Sequence, residues 1–242
     1  MSYALYNDLA GLRFWRQDEL RLRTRIKEAL CDTVFTTLHN INQMWAFEEV
    51  ETPAMMPLAR MSAAYDRDDV FMLMDPPGGT EAFALRAETT DGTYAIAQAM
   101  MRTTNRKPPL GLYQMGTSFR RETSDGATAA KLRLNAFTQL EFQLIHAVDT
   151  KADIVTPVRD ALLPAVQRLT GLETRLVPSD RIPPYATETV DIEVLQPNGE
   201  WREVASTSRR TDFPNVPGYK PCHVFEVAFG MDRMVALANG AL

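Results

Sequence analysis

Two runs, GLYQMGTSFRRE (111–122) and RLNAFTQLEFQ (133–143), are joined by a loop of small residues and constrain the fold more than any other part of the chain. Both read as strands, and alternate residues of a strand share a face. Arg120 and Glu122 then point one way, as do Arg133, Asn135, Phe137, Gln139 and Glu141. An antiparallel pair that displays cations, an aromatic ring and carboxylates on one surface does not make an apolar core there. That surface reads as a site.

The rest of the chain supplies a setting for this hairpin. Leu22, Ile26, Leu30, Val34, Leu38 and Ile41 recur at helical spacing, which predicts a helix over Gln17–Gln43. A short strand follows in FEEVETPAMMP, where Pro53 ends the ladder. VFMLMD and FALRAET flank PPGGTE as two strands and a turn. Further helices are expected over Gly92–Met101, over Asp149–Leu169 with a bend at Pro164, and over GMDRMVALANG. TRLVP, VDIEVLQ, WREVASTS and HVFEVAF read as four more strands, with PNGE as a turn between two of them. Neighbouring antiparallel strands with helices set around them predict an α+β fold, an antiparallel sheet flanked by helices. Neither GxGxxG nor a Walker A pattern is present.

Charge and cysteine content narrow the classes. A formal charge of -5 gives no basic footprint for nonspecific nucleic-acid binding. Cys31 and Cys222 form no CxxC pair, His39, His146 and His223 show no HExxH spacing, and no zinc is expected. Cys222 and His223 read as packing residues. No run is long and apolar enough for a membrane span, so a cytoplasmic setting without membrane contact is expected. With 242 residues and 45% hydrophobic content, the chain is expected to form a single domain over 1–242, with 1–16 as an N-terminal extension.

Three segments, in order, resemble the signature motifs of class II aminoacyl-tRNA synthetases: FEEVETPAM with Pro53, FRRE with RLNAFTQLEFQ, and FEVAFGMDRMVAL with Arg233. ALRAETTDGTY is similar to the LRPETAQG segment of homodimeric glycyl enzymes. EVASTSRRTDF is similar both to their GIAxRTDY stretch and to the EISSCSNxxDF stretch of seryl enzymes. Ala87, Ala228, Asp232 and Asn135-Ala136 depart from those patterns and bear on amino-acid preference more than on chemistry.

The resemblance implies ATP-dependent activation of a small amino acid, glycine first and alanine or serine next, with Mg2+. Arg120, whose planar fork bonds two oxygens at once, would meet the α-phosphate and the substrate carboxylate. Arg233, at a helix start, would meet the γ-phosphate, and Arg133 the β,γ end. Phe137 offers a face to adenine and Glu122 contacts its edge. Glu203 with Ser206 would ligate magnesium through hard oxygens. Glu88, Glu141 and Glu226 would surround the ammonium of the amino acid, with Gln139 and Ala228 nearby. Ordinary readings stand beside these. A strand arginine can be a surface ion pair, Phe137 can be core, Glu203 can pair with Arg202 or Arg209, and the three glutamates can be separate surface carboxylates.

In this family the motif 1 region forms a homodimer, so a homodimer is expected. No anticodon-binding domain is expected after motif 3. The acceptor could be a tRNA end, a carrier protein or a small molecule. Ligases for carrier proteins bind zinc through a cysteine where Glu226 stands here, which counts against that acceptor. A noncatalytic accessory subunit, as in a replicative polymerase, is the alternative. That use loses the ATP-binding arginines, and Arg120 and Arg233 are both present.

Overall fold

The central sheet has seven strands. β3 (Ala46–Glu49) lies at one edge, followed by β7 (Leu110–Phe119), β8 (Ala136–Ala147), β12 (Cys222–Gly230), β11 (Trp201–Arg210), β10 (Ala186–Leu195) and β9 (Thr174–Pro178). Every neighbouring pair is antiparallel except β3 and β7. This is a computed structural model, and it describes residues 5–7, 11–61, 65–73, 82–122 and 132–240. Three shorter strands, β4 (Met55–Pro57), β6 (Phe83–Leu85) and β5 (Met72–Leu73), form a separate antiparallel sheet in that order. β1 (Leu5–Asn7) pairs antiparallel with β2 (Leu12–Phe14) within the segment read only as an extension.

Alternation along the strands decides where the core sits. Leu140, Phe142 and Leu144 of β8 and Phe225, Val227 and Phe229 of β12 point to one face. That face packs against α1 (Gln17–Ile41), α3 (Val155–Thr170) and α4 (Met231–Ala238), with Ile26, Leu30, Val34 and Leu38 of α1 fully buried. The opposite face divides in two. At one end Leu110, Leu112, Ile145 and Val224 lie under Tyr94, Ala97 and Met101 of α2 (Thr90–Thr104). At the other end the sequence places polar and small residues, and among the described residues no helix covers them. There the register sets Gln139 opposite Gly230, Glu141 opposite Ala228, Ala228 opposite Ser206, and Ser206 opposite Asp191.

Element boundaries differ from the sequence reading for local reasons. α1 stops at Ile41 because Asn42 is already extended. α2 starts at Thr90 and runs to Thr104, before Asn105 turns left-handed at φ 52. α3 begins at Val155 and not at Asp149. The Asp153 carboxylate accepts the N–H groups of Val155 and Thr156 at 3.0 and 3.3 Å, a helix cap that fixes the start. Pro157 is tolerated in the first turn, where N–H groups lack helical partners, and Pro164 lies inside the helix. Gly199, at φ 85, takes the left-handed position in the PNGE turn between β10 and β11. The PPGGTE turn and the small-residue loop after Glu122 fall outside the described residues.

Candidate functional site

A cavity of about 500 Å³ opens on the uncovered half of the sheet. Arg120 and Glu122 reach it from the end of β7, and Arg133, Phe137 and Gln139 from the start of β8. Glu203 and Ser206 enter from β11, Ala228 from β12, and Arg233 from the first turn of α4. β7 itself ends at Phe119, but the Arg120 N–H still donates to the Asn135 carbonyl at 2.9 Å, which keeps the two strands in register into the cavity.

Arg120 is held from three sides. Its Nε donates to the Ala87 carbonyl at 3.3 Å and its Nη2 to the Tyr65 hydroxyl at 2.9 Å. Its guanidinium lies 5.1 Å from the Phe137 ring centroid. Tyr65 in turn donates to Glu88 at 3.1 Å, so Arg120 and Glu88 are linked through one phenol. Arg233 donates to the Glu203 carbonyl at 3.0 Å and sits 3.6 Å from the Glu203 carboxylate. Arg202 and Arg209 pair elsewhere, with Glu200 and Glu188 respectively. Glu122 pairs with Arg133 at 2.7 Å across the mouth of the cavity. Asp191, opposite Ser206, was not picked out from the sequence. Burial raises its carboxyl to about 6, and the nearby Glu203 adds to the rise. Asp191 lines a smaller cavity of about 230 Å³ that shares Arg120, Glu203 and Ser206 with the larger one and is also walled by Tyr65 and Tyr185.

Glu88, Glu141 and Glu226 converge, but none of them lines the larger cavity. All three are buried, and the cation between two of them belongs to the chain itself. Arg210 donates to Glu226 at 2.6 Å and to Glu88 at 3.4 Å, and forms a third ion pair with Asp212 at 2.7 Å. Its guanidinium stacks 3.7 Å from the Tyr185 ring centroid. Burial opposes the Arg210 charge, and Glu226 and Glu88 more than offset that cost. Burial likewise pushes Glu88 up. Glu141 accepts the Thr89 N–H at 3.1 Å and the Thr89 hydroxyl. Burial first, then Glu226 and Glu88, raise Glu141 to about 8. Sequence reasoning missed Arg210. The signal was present, since Ser206, Ser208 and Arg210 share strand parity and therefore a face.

The donor set suits a small hard cation only in part. Glu203, Ser206 and Asp191 line one small cavity with their oxygens, yet among the described residues no group of three or more His, Cys, Asp or Glu is placed to hold a metal ion. A Mg2+ ion here would complete its shell with water and phosphate oxygens, as that ion commonly does. Among the described residues no helix is long and apolar enough to cross a membrane.

Residues 71–239 match the family described as tRNA synthetase class II core domain (G, H, P, S and T). Among curated proteins, the glycine–tRNA ligase of Clostridium tetani is 33% identical over 133 residues, which is 53% of this chain and 28% of that protein. The corresponding ligase of Clostridium perfringens is 30% identical over 133 residues, with the same two shares. The chain thus spans less than a third of the length of these relatives. Among solved structures, prolyl-tRNA synthetase from Cryptosporidium parvum, complexed with halofuginone and AMPPNP, superposes with a TM-score of 0.72 at 14% identity, over 98% of this chain and 49% of that one. Prolyl-tRNA synthetase from Giardia lamblia, in complex with prolyl-adenylate, gives 0.72 at 15% identity, over 95% and 47%.

Proposed function

The chain belongs to the class II tRNA synthetase core family, and from that premise we propose that it activates a small amino acid with ATP. The amino-acid carboxylate oxygen attacks the α-phosphorus, the bond to the β-phosphate oxygen breaks, and aminoacyl-adenylate and pyrophosphate result. Negative charge gathers on phosphate oxygens during this step, so fixed cations and donors supply the catalysis and no protein nucleophile is needed. The observation that carries the reading is the shared cavity: Arg120, Phe137 and Arg233, from three separate parts of the chain, line one space of about 500 Å³.

In this reading Phe137 stacks on adenine while Glu122 meets its edge. Arg120 bridges the α-phosphate and the substrate carboxylate, and Arg133 and Arg233 take the far phosphates. Glu203 and Ser206, with Asp191 beside them, would hold a magnesium ion, which would supply charge neutralisation. The amino acid takes the place where the larger cavity, lined by Gln139 and Ala228, meets the smaller one at Arg120 and Ser206. Gln139, Ala228 and the buried Glu88, Glu141 and Glu226 shape the surroundings of its ammonium, with Arg210 already neutralising part of their charge. Glycine is the first candidate, then alanine and serine. Exclusion by size is effective, whereas a preference for one more methylene yields only about 1–3 kcal/mol. The acceptor of the activated group is a tRNA end, a carrier protein or a small molecule, and a homodimer forms through the segment around Pro53.

Amino-acid-dependent exchange of pyrophosphate into ATP tests the reading, with glycine, alanine and serine assayed before the rest. Arg120→Ala should reduce exchange at least about 100-fold, the scale of losing one transition-state donor, while the thermal unfolding transition persists. Folded protein that supports no exchange with any of the twenty amino acids would favour a noncatalytic accessory role.

A further inference from the structure

Asp232 presents a problem of charge. It lines the cavity beside Arg233, where the proposed function seats a polyphosphate, and it is only 3% exposed. Its Oδ2 accepts the Thr138 N–H at 2.6 Å, which pins α4 to β8 between Phe137 and Gln139. Its Oδ1 accepts no hydrogen bond among the described residues. A carboxylate in that wall repels an incoming anion unless a cation stands behind it.

The cation comes from the segment ahead of the first helix. Arg13 on β2 donates through Nη1 to the Asp232 carbonyl at 2.7 Å, and the same nitrogen lies 3.6 Å from Asp232 Oδ1. Its Nη2 pairs with Glu19 at 2.6 Å, and its side chain is 1% exposed. Trp15 carries the Arg13 guanidinium 4.0 Å from its ring centroid and that of Arg23 at 4.7 Å. The Asn135 N–H donates to the Gly11 carbonyl at 2.8 Å, which joins the same segment to the chain entering β8. Burial raises Asp232 to about 6, while Thr138, Arg13 and Arg23 pull it down. Arg13 therefore reaches the back of the nucleotide cavity through Asp232, without lining the cavity itself.

We propose that Arg13 is a positioning residue for the nucleotide site: it neutralises Asp232 from behind and holds the first turn of α4, so that Arg233 faces a triphosphate without a competing negative charge. The inference rests on the proposed ATP chemistry and adds to it a residue outside the three signature motifs. β2 thereby backs the nucleotide cavity from behind α4.

Calorimetric titration with magnesium and a non-hydrolysable ATP analogue tests it on the full chain, comparing wild type, Arg13→Met, Asp232→Asn and the double variant, each checked for a cooperative unfolding transition. Arg13→Met should weaken nucleotide binding about tenfold and leave the KM for the amino acid in exchange assays unchanged. The double variant should recover to within about threefold of wild type, because the carboxylate charge that Arg13 balances in the cavity wall is then gone. The lost Glu19 pair is common to both Arg13→Met variants and is read in the unfolding transition. Unchanged affinity in Arg13→Met overturns the inference. So does a loss that Asp232→Asn fails to rescue, which is what a purely structural role would give. Should Arg13→Met not fold, Arg13→Lys, which keeps the charge and loses the fork, should bind nucleotide within about threefold of wild type, and a tenfold loss in it overturns the inference. A folded wild-type protein that binds no nucleotide overturns the adenylation reading and this inference with it, whereas nucleotide binding without rescue overturns this inference alone.

Discussion

Glu141 shows how far the fold can displace a single side chain from its solution behaviour. Its carboxyl sits at about 8, against 4.5 for an unperturbed glutamate, through burial and the adjacent Glu226 and Glu88. A folded pKa above the unfolded one means that the native state holds a proton which the unfolded chain releases between these values. The associated stability is complete below about 4.5 and is lost as pH rises through 8. Glu141→Gln keeps an acceptor for the Thr89 N–H and removes the titration. Urea unfolding should find the variant more stable than wild type above pH 8 and similar near pH 5, and a wild-type stability that does not fall over that range would refute the account. Arg120, Phe137 and Arg233 were legible from sequence because each sits in a short run with a recognisable pattern. Arg210 was not singled out, because its partner Glu88 lies 122 positions away and only the folded sheet brings them together. Its neighbour Arg209 points to the exposed side and pairs with Glu188, so the dipeptide alone does not say which arginine is buried.

Between elements, one close joint is where α2 crosses the segment after β3. A Cβ added to Gly92 would lie 2.6 Å from the Thr52 Cβ, so no other residue fits without displacing that segment. Gly92→Ala should cost about 1–3 kcal/mol, as overpacked sites do, measured by chemical denaturation; a neutral result would mean that the Thr52 segment yields freely. Arg86 locks the same joint from the other side. It donates to the carbonyls of Thr52 at 2.6 Å and Thr117 at 2.9 Å, spanning from the segment around Pro53 to β7 three residues before Arg120. The long elements were readable because their apolar periodicity is strong. Their ends were not. Asp153 starts α3 through its side chain, and the three-residue strands β1 and β2 are too short to show any period.

For the molecule as a whole, the sequence conveyed the α+β class but not the order of strands. β12, the last in the chain, lies between β8 and β11, a pairing that no local pattern announces. The proposed homodimer carries a prediction at this scale. Met55 and Met72 are exposed, and a groove of about 660 Å³ runs past Met55, Met56, Pro57 and Ile96 beside the Pro53 segment. Light scattering at micromolar concentration should give twice the chain mass, and Met55→Glu should shift the protein toward single chains; a monomeric wild type would count against the assembly. The stacking of Tyr185 on Arg210 has a consequence of its own. The ring comes from the approach to β10, the guanidinium from the end of β11, and the glutamates it neutralises from near α2 and from β12. Lifting that one phenol would let water reach the guanidinium and weaken its hold on both acids together. The ring thus insulates a buried guanidinium shared by two acids, and Tyr185→Ala should expose both ion pairs to water at once.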